Sequence, residues 1–271
     1  MIRLAVFGAP VAQSLSPRIH RLFAQQFGLD VDYRAIEASA ATFAAQLREF
    51  AAQGARGCNV TVPFKTQACE LADRASELAR RAGAANTLVF EPQEWYADNT
   101  DGAGLLADLD GVPGLRLTGG SLCLLGAGGA AAGVLAALLA RAPRRVVIVN
   151  RTPERAAALA ASHADLGAVE ALRPAEAGRA GAFDLVINAT SLGHDGVAPD
   201  LAACWFEAGG LCCDLNYGRA AQPLQSLCAR LGVAYRDGLG MLVNQAALSF
   251  ELWTGHSPAT APVLATLRHE Q

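Results

Sequence analysis

The sequence predicts an α/β protein built from two domains, on three observations. Short apolar, β-branched runs alternate with stretches of helical periodicity. A glycine-rich turn joins one such run to an Ala/Leu-rich helix and then to a second run. The length, 271 residues, fits about two domains of roughly 150 residues each. The strand-like runs are residues 2–7, 31–36, 58–62, 87–90, 121–125, 146–149, 183–187, 211–215 and 233–235, each bounded by turn residues. Their alternation with helices implies largely parallel sheets. The break between the halves is expected near residues 101–111.

Composition excludes several function classes. Hydrophobic residues make up 52% and charged ones 17%, too much apolar surface for a disordered chain. Twenty-two basic and 25 acidic residues leave a net charge of −3. With no run of five like charges, the chain carries no footprint for nucleic acid or an anionic membrane, so its partners are expected to be small molecules or itself. Residues 121–140 carry no charge but read as strand, turn and helix rather than as a membrane span. Arg3 precedes a short apolar run that Gly8 and Pro10 break, unlike a signal peptide, and a cytoplasmic protein is expected. Seven cysteines without a C-x-x-C pair and five scattered histidines give neither a disulfide framework nor a metal site.

The second half carries the clearer motif. Residues 121–125 run into Gly126-Ala127-Gly128-Gly129-Ala130-Ala131, then a helix to about Arg141 and the strand 146–149, which together make a βαβ unit. Gly126 permits the tight turn, Gly128 lets backbone approach a pyrophosphate, and Ala131 allows close helix packing. The helix start then offers its N–H groups to phosphate. After the second strand, an NAD site usually carries an acid and an NADP site an arginine. Here stand Asn150-Arg151-Thr152, with Arg155 one turn on. Two guanidiniums and a hydroxyl suit a 2′-phosphate, so NADP is the expected cofactor, although Glu154 is placed to pair with either arginine.

The first half is marked by its basic residues. Lys65 is the only lysine, all other basic residues being arginine. An ammonium can give up its proton near neutral pH where a guanidinium cannot, so a lysine kept alone is a general acid/base candidate. It follows Asn59-Val-Thr61-Val-Pro63-Phe64, a strand end at a sheet's carboxyl edge, where open α/β sheets place their ligands. The blander alternative is a solvated lysine at a helix start. Asp98-Asn99-Thr100-Asp101-Gly102 reads either as a helix cap or as a polar cluster of the site. Ser14 and Ser16, before Pro17, serve as a helix cap or as hydroxyls for a substrate carboxylate, with Ser16 in the capping position.

With these pieces placed, the chain resembles the NADP-dependent shikimate dehydrogenase family over nearly its whole length. The resembling segments, in order, are Val6-Phe-Gly8 with Ser14-Leu-Ser16-Pro17, Asn59 through Lys65, Gly83-Ala-Ala-Asn86-Thr87, Asp98 through Gly102, Gly126 through Ala130, Asn150-Arg-Thr152 with Arg155, Asn188-Ala-Thr190, and Asp237-Gly-Leu-Gly-Met241. The resemblance implies an N-terminal substrate domain over 1–101, a Rossmann-type doubly wound NADP-binding domain over 102–237, C-terminal helices over 238–271 that complete the substrate domain, and a cleft at their junction. It implies that Lys65 and Asp101 form the catalytic pair and that Ser14 and Ser16 bind the substrate carboxylate. Thr61, Asn86 and Gln245 would bind ring hydroxyls, with Tyr217 near the substrate. Gly126, Ala127, Gly128, Gly129, Ala130, Asn150, Arg151, Thr152, Arg155, Leu215, Gly238 and Met241 would line the cofactor, with Glu77 as a further candidate. Departures from the family pattern fall at Ala9, Gln13 and Gln222-Pro-Leu224, none at a catalytic position.

The implied activity is reversible NADPH-dependent reduction of 3-dehydroshikimate to shikimate by a monomer or homodimer. Three rivals stand beside it. A quinate/shikimate dehydrogenase paralogue with relaxed choice would be expected to show an acid at the strand tip. A methylenetetrahydrofolate dehydrogenase leaves Ser14, Ser16 and Asn86 without a purpose. A non-enzymatic NADP-binding sensor has no need of a lone lysine beside an aspartate cluster.

Overall fold

The computed structural model describes residues 1–178 and 180–270, and the chain divides into two compact units. Unit 1 comprises Met1–Gly104 and Val243–Gln271, and unit 2 comprises Leu105–Leu242. Every run expected to be a strand forms one, some with shifted ends.

Unit 1 contains β1 (Ile2–Gly8), α1 (Ser16–Phe27), β2 (Val31–Glu37), α2 (Phe43–Ala52), β3 (Gly57–Val60), α3 (Lys65–Leu71), β4 (Arg74–Ala75), α4 (Glu77–Ala82), β5 (Thr87–Phe90), β6 (Trp95–Asp98) and the start of α5 (Asp101–Leu109). Its six strands are ordered β2-β1-β3-β5-β6-β4. The expectation of a largely parallel sheet fails here, because β5 runs antiparallel to both β3 and β6. A short turn makes β5 and β6 a hairpin, and hairpin neighbours must run in opposite directions. Along β1, alternate residues serve opposite faces. Ala5 and Phe7 pack with Phe43, Phe50, Cys58 and Leu88, whereas Leu4 and Val6 pack with Tyr33, Val89 and Trp253. Trp253 donates its indole N–H to the Leu88 carbonyl at 2.9 Å and lies where a side chain on Gly57 would have to go.

Helix α1 has Pro17 in its first turn, where no amide hydrogen is missed, and ends at Gly28 in the left-handed conformation. Ser16 is its first helical residue rather than its cap, which corrects the capping alternative. Instead the Ser14 hydroxyl accepts the Ser16 amide at 3.2 Å.

Unit 2 contains β7 (Ser121–Leu125), α6 (Gly129–Leu139), β8 (Arg145–Val149), α7 (Pro153–Ala161), β9 (Val169–Leu172), α8 (Pro174–Ala177), β10 (Phe183–Asn188), β11 (Phe206–Asp214), α9 (Gln222–Leu231) and β12 (Ala234–Arg236). The order β12-β11-β10-β7-β8-β9 is parallel at every pairing. This is the doubly wound arrangement, with its switch point between β7 and β10. Even-numbered residues of β7 and β8 (Leu122, Leu124, Val146, Ile148) face α6 through Val134, Leu135 and Leu138, and odd-numbered ones (Cys123, Leu125, Val147, Val149) face α9 through Leu224 and Cys228. Covered on both faces, these strands are apolar after their first residues, Ser121 and Arg145.

Helices α10 (Leu239–Thr254) and α11 (Thr260–His269) end the chain. The passage from one unit to the other falls inside α5 on the way out and inside α10 on the way back. Strands β4, β6 and β9 were not among the expected runs. All seven cysteines are free thiols. Among the described residues, no helix is long and apolar enough to cross a membrane.

Candidate active site

The mixed sheet of unit 1 gathers its polar residues at one edge. Strands β1 and β3 run parallel and end there, followed by Ser14 and by Thr61 and Lys65. Because β5 is reversed, its beginning lies at that same edge, with Asn59 opposite Thr87 and Thr87 opposite Asp98. The reversal therefore puts Asn86, just before β5, beside Lys65, while Asp101 reaches the same edge at the end of β6, which runs in the direction of β3. In an all-parallel sheet Asn86 would have lain at the opposite edge.

Lys65 is the first residue of α3, the position the blander reading gave it, but it is not solvated there. Its side chain is 12% exposed and that of Asp101 6%, with Lys65 Nζ 2.5 Å from Asp101 Oδ2. The other carboxylate oxygen, Oδ1, accepts from Asn86 Nδ2 at 2.9 Å. Asp101 is thus held by an ammonium on one side and a neutral amide on the other. The Asn99 side chain accepts the Asp101 backbone N–H at 3.1 Å, so the cap of α5 is built from Asn99.

Behind this pair lies a buried network in which Asn86 is the hub. Its Oδ1 accepts the Thr100 backbone N–H at 2.9 Å, and its Nδ2 also lies 2.9 Å from Thr100 Oγ1 and 2.9 Å from Gln245 Oε1. The Thr100 hydroxyl donates to the Gln245 carbonyl at 3.0 Å. Asn59 Nδ2 donates to the Asn86 carbonyl at 3.1 Å and to Ser249 Oγ at 3.0 Å, while the Tyr33 hydroxyl donates to Asn59 Oδ1 at 2.7 Å. Buried polar groups at this density hold one geometry, since each displaced bond leaves an unsatisfied partner. Sequence reasoning singled out Asn86, Asp101 and Gln245 and placed Thr100 in the polar segment before Gly102, but missed Ser249 and Tyr33. The available signal was hydroxyl and amide residues at otherwise apolar positions, such as Ser249 among the α10 core residues.

Unit 2 collects its candidate residues at the carboxyl edge of the parallel sheet. Gly126, at a φ of +105°, follows β7, and a side chain there would stand 3.0 Å from the Ala189 carbonyl beyond β10. Its N–H donates to Val149 at 2.8 Å, tying the loop to the tip of β8. Gly128 caps α6 and has nothing within 4 Å of the place a Cβ would take. That open approach, next to the free N–H groups of Gly129 and Ala130 at the start of α6, fits a pyrophosphate. At the tip of β8, Asn150 donates to the Thr152 carbonyl at 2.9 Å, and Arg151, Thr152 and Arg155 are exposed. Among the described residues neither arginine forms an ion pair, and Glu154 pairs with neither. The two guanidiniums are therefore available to a phosphate. The donor set fits NADP.

Leu215 and Tyr217 follow β11 on a turn organised by Asp214. That buried carboxylate accepts from the Asn188 amide at 2.9 Å and from the Asn216 backbone and side chain at 3.0 and 2.8 Å. Burial nonetheless raises its pKa above the ordinary aspartate range. Gly238 packs so closely on the Leu215 carbonyl that no side chain fits, and Met241 is buried in the unit's core. Of the expected substrate residues, Ser14, Ser16, Thr61, Lys65, Asn86, Asp101 and Gln245 lie in unit 1 and Tyr217 in unit 2. Ser14 and Thr61 are half-buried and Ser16 is buried. Glu77 lies in unit 1 at the exposed start of α4, paired with Arg80 at 2.8 Å and Arg81 at 3.7 Å.

Comparison with known proteins covers both units. A family model for the shikimate dehydrogenase substrate binding domain matches residues 6–88, one for shikimate / quinate 5-dehydrogenase residues 113–198, and one for the shikimate 5′-dehydrogenase C-terminal domain residues 238–268. The protein named shikimate dehydrogenase (NADP(+)) from Acidovorax sp. (strain JS42) is 49% identical over 97% of this chain and 94% of its own length. Among solved structures, an Ael1 enzyme from Pseudomonas putida aligns with a TM-score of 0.89 at 41% identity over 98% of each chain. The shikimate 5-dehydrogenase of Thermus thermophilus, crystallised with NADP(H) and shikimate, aligns with a TM-score of 0.85 at 34% identity over 100% of each chain.

Proposed function

The chain belongs to the shikimate dehydrogenase family, and from that premise we propose that Lys65 and Asp101 are its catalytic pair. The reaction is the NADPH-dependent, reversible reduction of 3-dehydroshikimate to shikimate, a step of the shikimate pathway. The observation that carries the assignment of the pair is the enclosed contact of Lys65 with Asp101 at the sheet edge, in a chain with no other lysine.

Bound NADPH supplies the hydride that reduces the substrate's C3 carbonyl. Lys65 Nζ donates its proton to the oxygen on which negative charge develops, and its ammonium stabilises that charge before transfer is complete. In the oxidative direction the same nitrogen takes the proton back. Asp101 Oδ2 holds Nζ in one place, and Oδ1, anchored by Asn86, faces the neighbouring ring hydroxyl. Thr61, Asn86 and Gln245 bind ring hydroxyls, Ser14 and Ser16 bind the carboxylate, and Tyr217 is a further substrate residue. The low exposure of the pair keeps water from competing for the proton.

Residues Gly126 through Ala130 hold the pyrophosphate by backbone N–H groups, and Asn150, Arg151, Thr152 and Arg155 hold the 2′-phosphate. Leu215, Gly238 and Met241 line the cofactor, with Glu77 as a further candidate. The enzyme works in the cytoplasm as a monomer or homodimer, with no nucleic-acid partner. Absorbance at 340 nm tests this reading, with shikimate or quinate as substrate and NADP or NAD as cofactor. Turnover of shikimate with NADP is expected, and preference for quinate or for NAD overturns the specificity assigned here.

A further inference from the structure

One buried side chain links the backbone of Asp101 to the segment that holds the backbone of Lys65. Asn99 is 2% exposed, and its partners fix which way its amide points. The Asp101 backbone N–H can only donate and meets Asn99 Oδ1 at 3.1 Å, whereas the Ala84 carbonyl can only accept and meets Asn99 Nδ2 at 2.9 Å. The next residue, Ala85, donates its backbone N–H to the Lys65 carbonyl at 2.8 Å. Ala84 and Ala85, buried between α4 and β5, thus carry a tie to each member of the pair.

We propose that Asn99 is a positioning residue for the reaction, whose amide clamps the start of α5 to the segment that bears the start of α3 and so sets where Asp101 stands against Lys65. This rests on the reading of Lys65 and Asp101 as the catalytic pair and adds what keeps them in register. Capping alone does not call for an amide, since serine, threonine and aspartate accept a helix N–H as well. The second bond does. A carboxylate has no proton for the Ala84 carbonyl, and a hydroxyl offers a single atom in place of the two that the amide sets apart.

Loss of the clamp loosens the pair without freeing it. The Asn86 backbone N–H still reaches the Asp98 carbonyl at 3.1 Å, and Asn86 Nδ2 still reaches Asp101 Oδ1 at 2.9 Å. A misplacement of about 1 Å at a reacting group costs about 10²-fold in rate, and with these ties left in place a loss of about tenfold is expected.

The test is a double-variant cycle read by steady-state kinetics on the wild type, Asn99→Ser, Lys65→Ala and the two together. Serine keeps a capping oxygen for the Asp101 N–H and gives up the bond to Ala84. In the wild-type background Asn99→Ser is expected to lower kcat about tenfold, with KM for shikimate and for NADP within about threefold. In the Lys65→Ala background it is expected to change kcat by less than about twofold, because the pair it positions is gone. A residue that served the fold alone would act equally in both backgrounds. A kcat within about twofold of wild type in Asn99→Ser, or a loss as large in Lys65→Ala as in the wild type, overturns the proposal. Should Asn99→Ser not fold, Asn99→Thr, closer to asparagine in size, is read by the same two criteria. Lys65→Ala by itself separates the layers. If it leaves kcat near normal, the reading of the catalytic pair has failed, and the proposal with it. If it lowers kcat while Asn99→Ser costs the same in both backgrounds, only the role of Asn99 is wrong.

Discussion

The candidate sites of unit 1 and unit 2 are built by different means. The edge of unit 1 is made of side chains: Lys65, Asp101, Asn86, Thr100, Gln245 and Ser249 are bonded to one another, and most are buried. The edge of unit 2 relies on backbone, with two glycines, a helix start and two guanidiniums that form no ion pair among the described residues, outside a largely apolar sheet. The difference follows from what is bound. A hydroxylated ring is told from its relatives by individual hydrogen bonds, which need fixed donors and acceptors. A diphosphate is recognised by charge and by closeness of approach, which amide groups supply at no cost in side-chain ordering.

The contrast breaks first at Lys65. Lys65→Arg keeps the charge but not the proton transfer, and kcat is expected to fall by about 10²–10⁴, with much smaller changes in shikimate and NADP affinity. Steady-state kinetics on the folded variant decide it, and near-normal kcat would return Lys65 to a structural role. The corresponding change in unit 2, Arg151→Ala, should cost about 1.5–3 kcal/mol of NADP binding and leave NAD almost untouched. Calorimetric titration with both cofactors checks it, equal losses counting against the 2′-phosphate contact.

Gly128→Ala sharpens the comparison further. Its Cβ meets nothing within 4 Å, so stability should stay within about 0.5 kcal/mol while NADP binding weakens, because the methyl takes up the phosphate's approach. A melting temperature that falls along with affinity would mean that the glycine serves the fold. In unit 1 no such separation exists at Asn86, whose bonds are both structure and site.

A last contrast is one of pH. His20 is fully buried among Tyr33, Phe23, Phe250 and Trp253, with neither ring nitrogen hydrogen-bonded, and burial pushes its pKa down to about 3. The unfolded chain takes up a proton near pH 6.5 that the native state refuses. Stability is therefore lost as pH falls from there toward about 3, by about 1.4 kcal/mol per unit. His20→Phe should remove that slope. Denaturant midpoints between pH 4 and 7 measure it, and an equal slope in the variant would show that other groups cause the loss.

Legibility in the sequence divides along the same line. The unit 2 site could be read locally, because Gly126 to Arg155 form one continuous βαβ segment whose spacing carries the chemistry. In unit 1, Lys65 stood out by its rarity, but the partners of Thr100 lie 145 and 149 residues away, beyond any local pattern. Strand direction was equally invisible. Residues 87–90 look the same in either orientation, yet their reversal decides where Asn86 stands. The segment 169–172, with Glu and Ala inside it, matches helical propensity and became an edge strand through pairing with β8. Ser16 satisfied every local criterion for a cap, yet the cap position falls on Leu15, and the Ser14 hydroxyl accepts the Ser16 amide.

The return of the chain through α10 also sets an order for biosynthesis. Gln245, Ser249 and Trp253 are translated after the whole of unit 2, yet the first two close the Asn86 network and the third covers Leu4, Val6 and Val89. While the ribosome is still making unit 2, which can fold on its own contiguous contacts, the earlier-made sheet waits with one apolar face open. A nascent chain stalled before residue 243 would thus carry a finished nucleotide fold beside an unfinished catalytic half, a state in which chaperones have more to bind than in either the start or the end of synthesis.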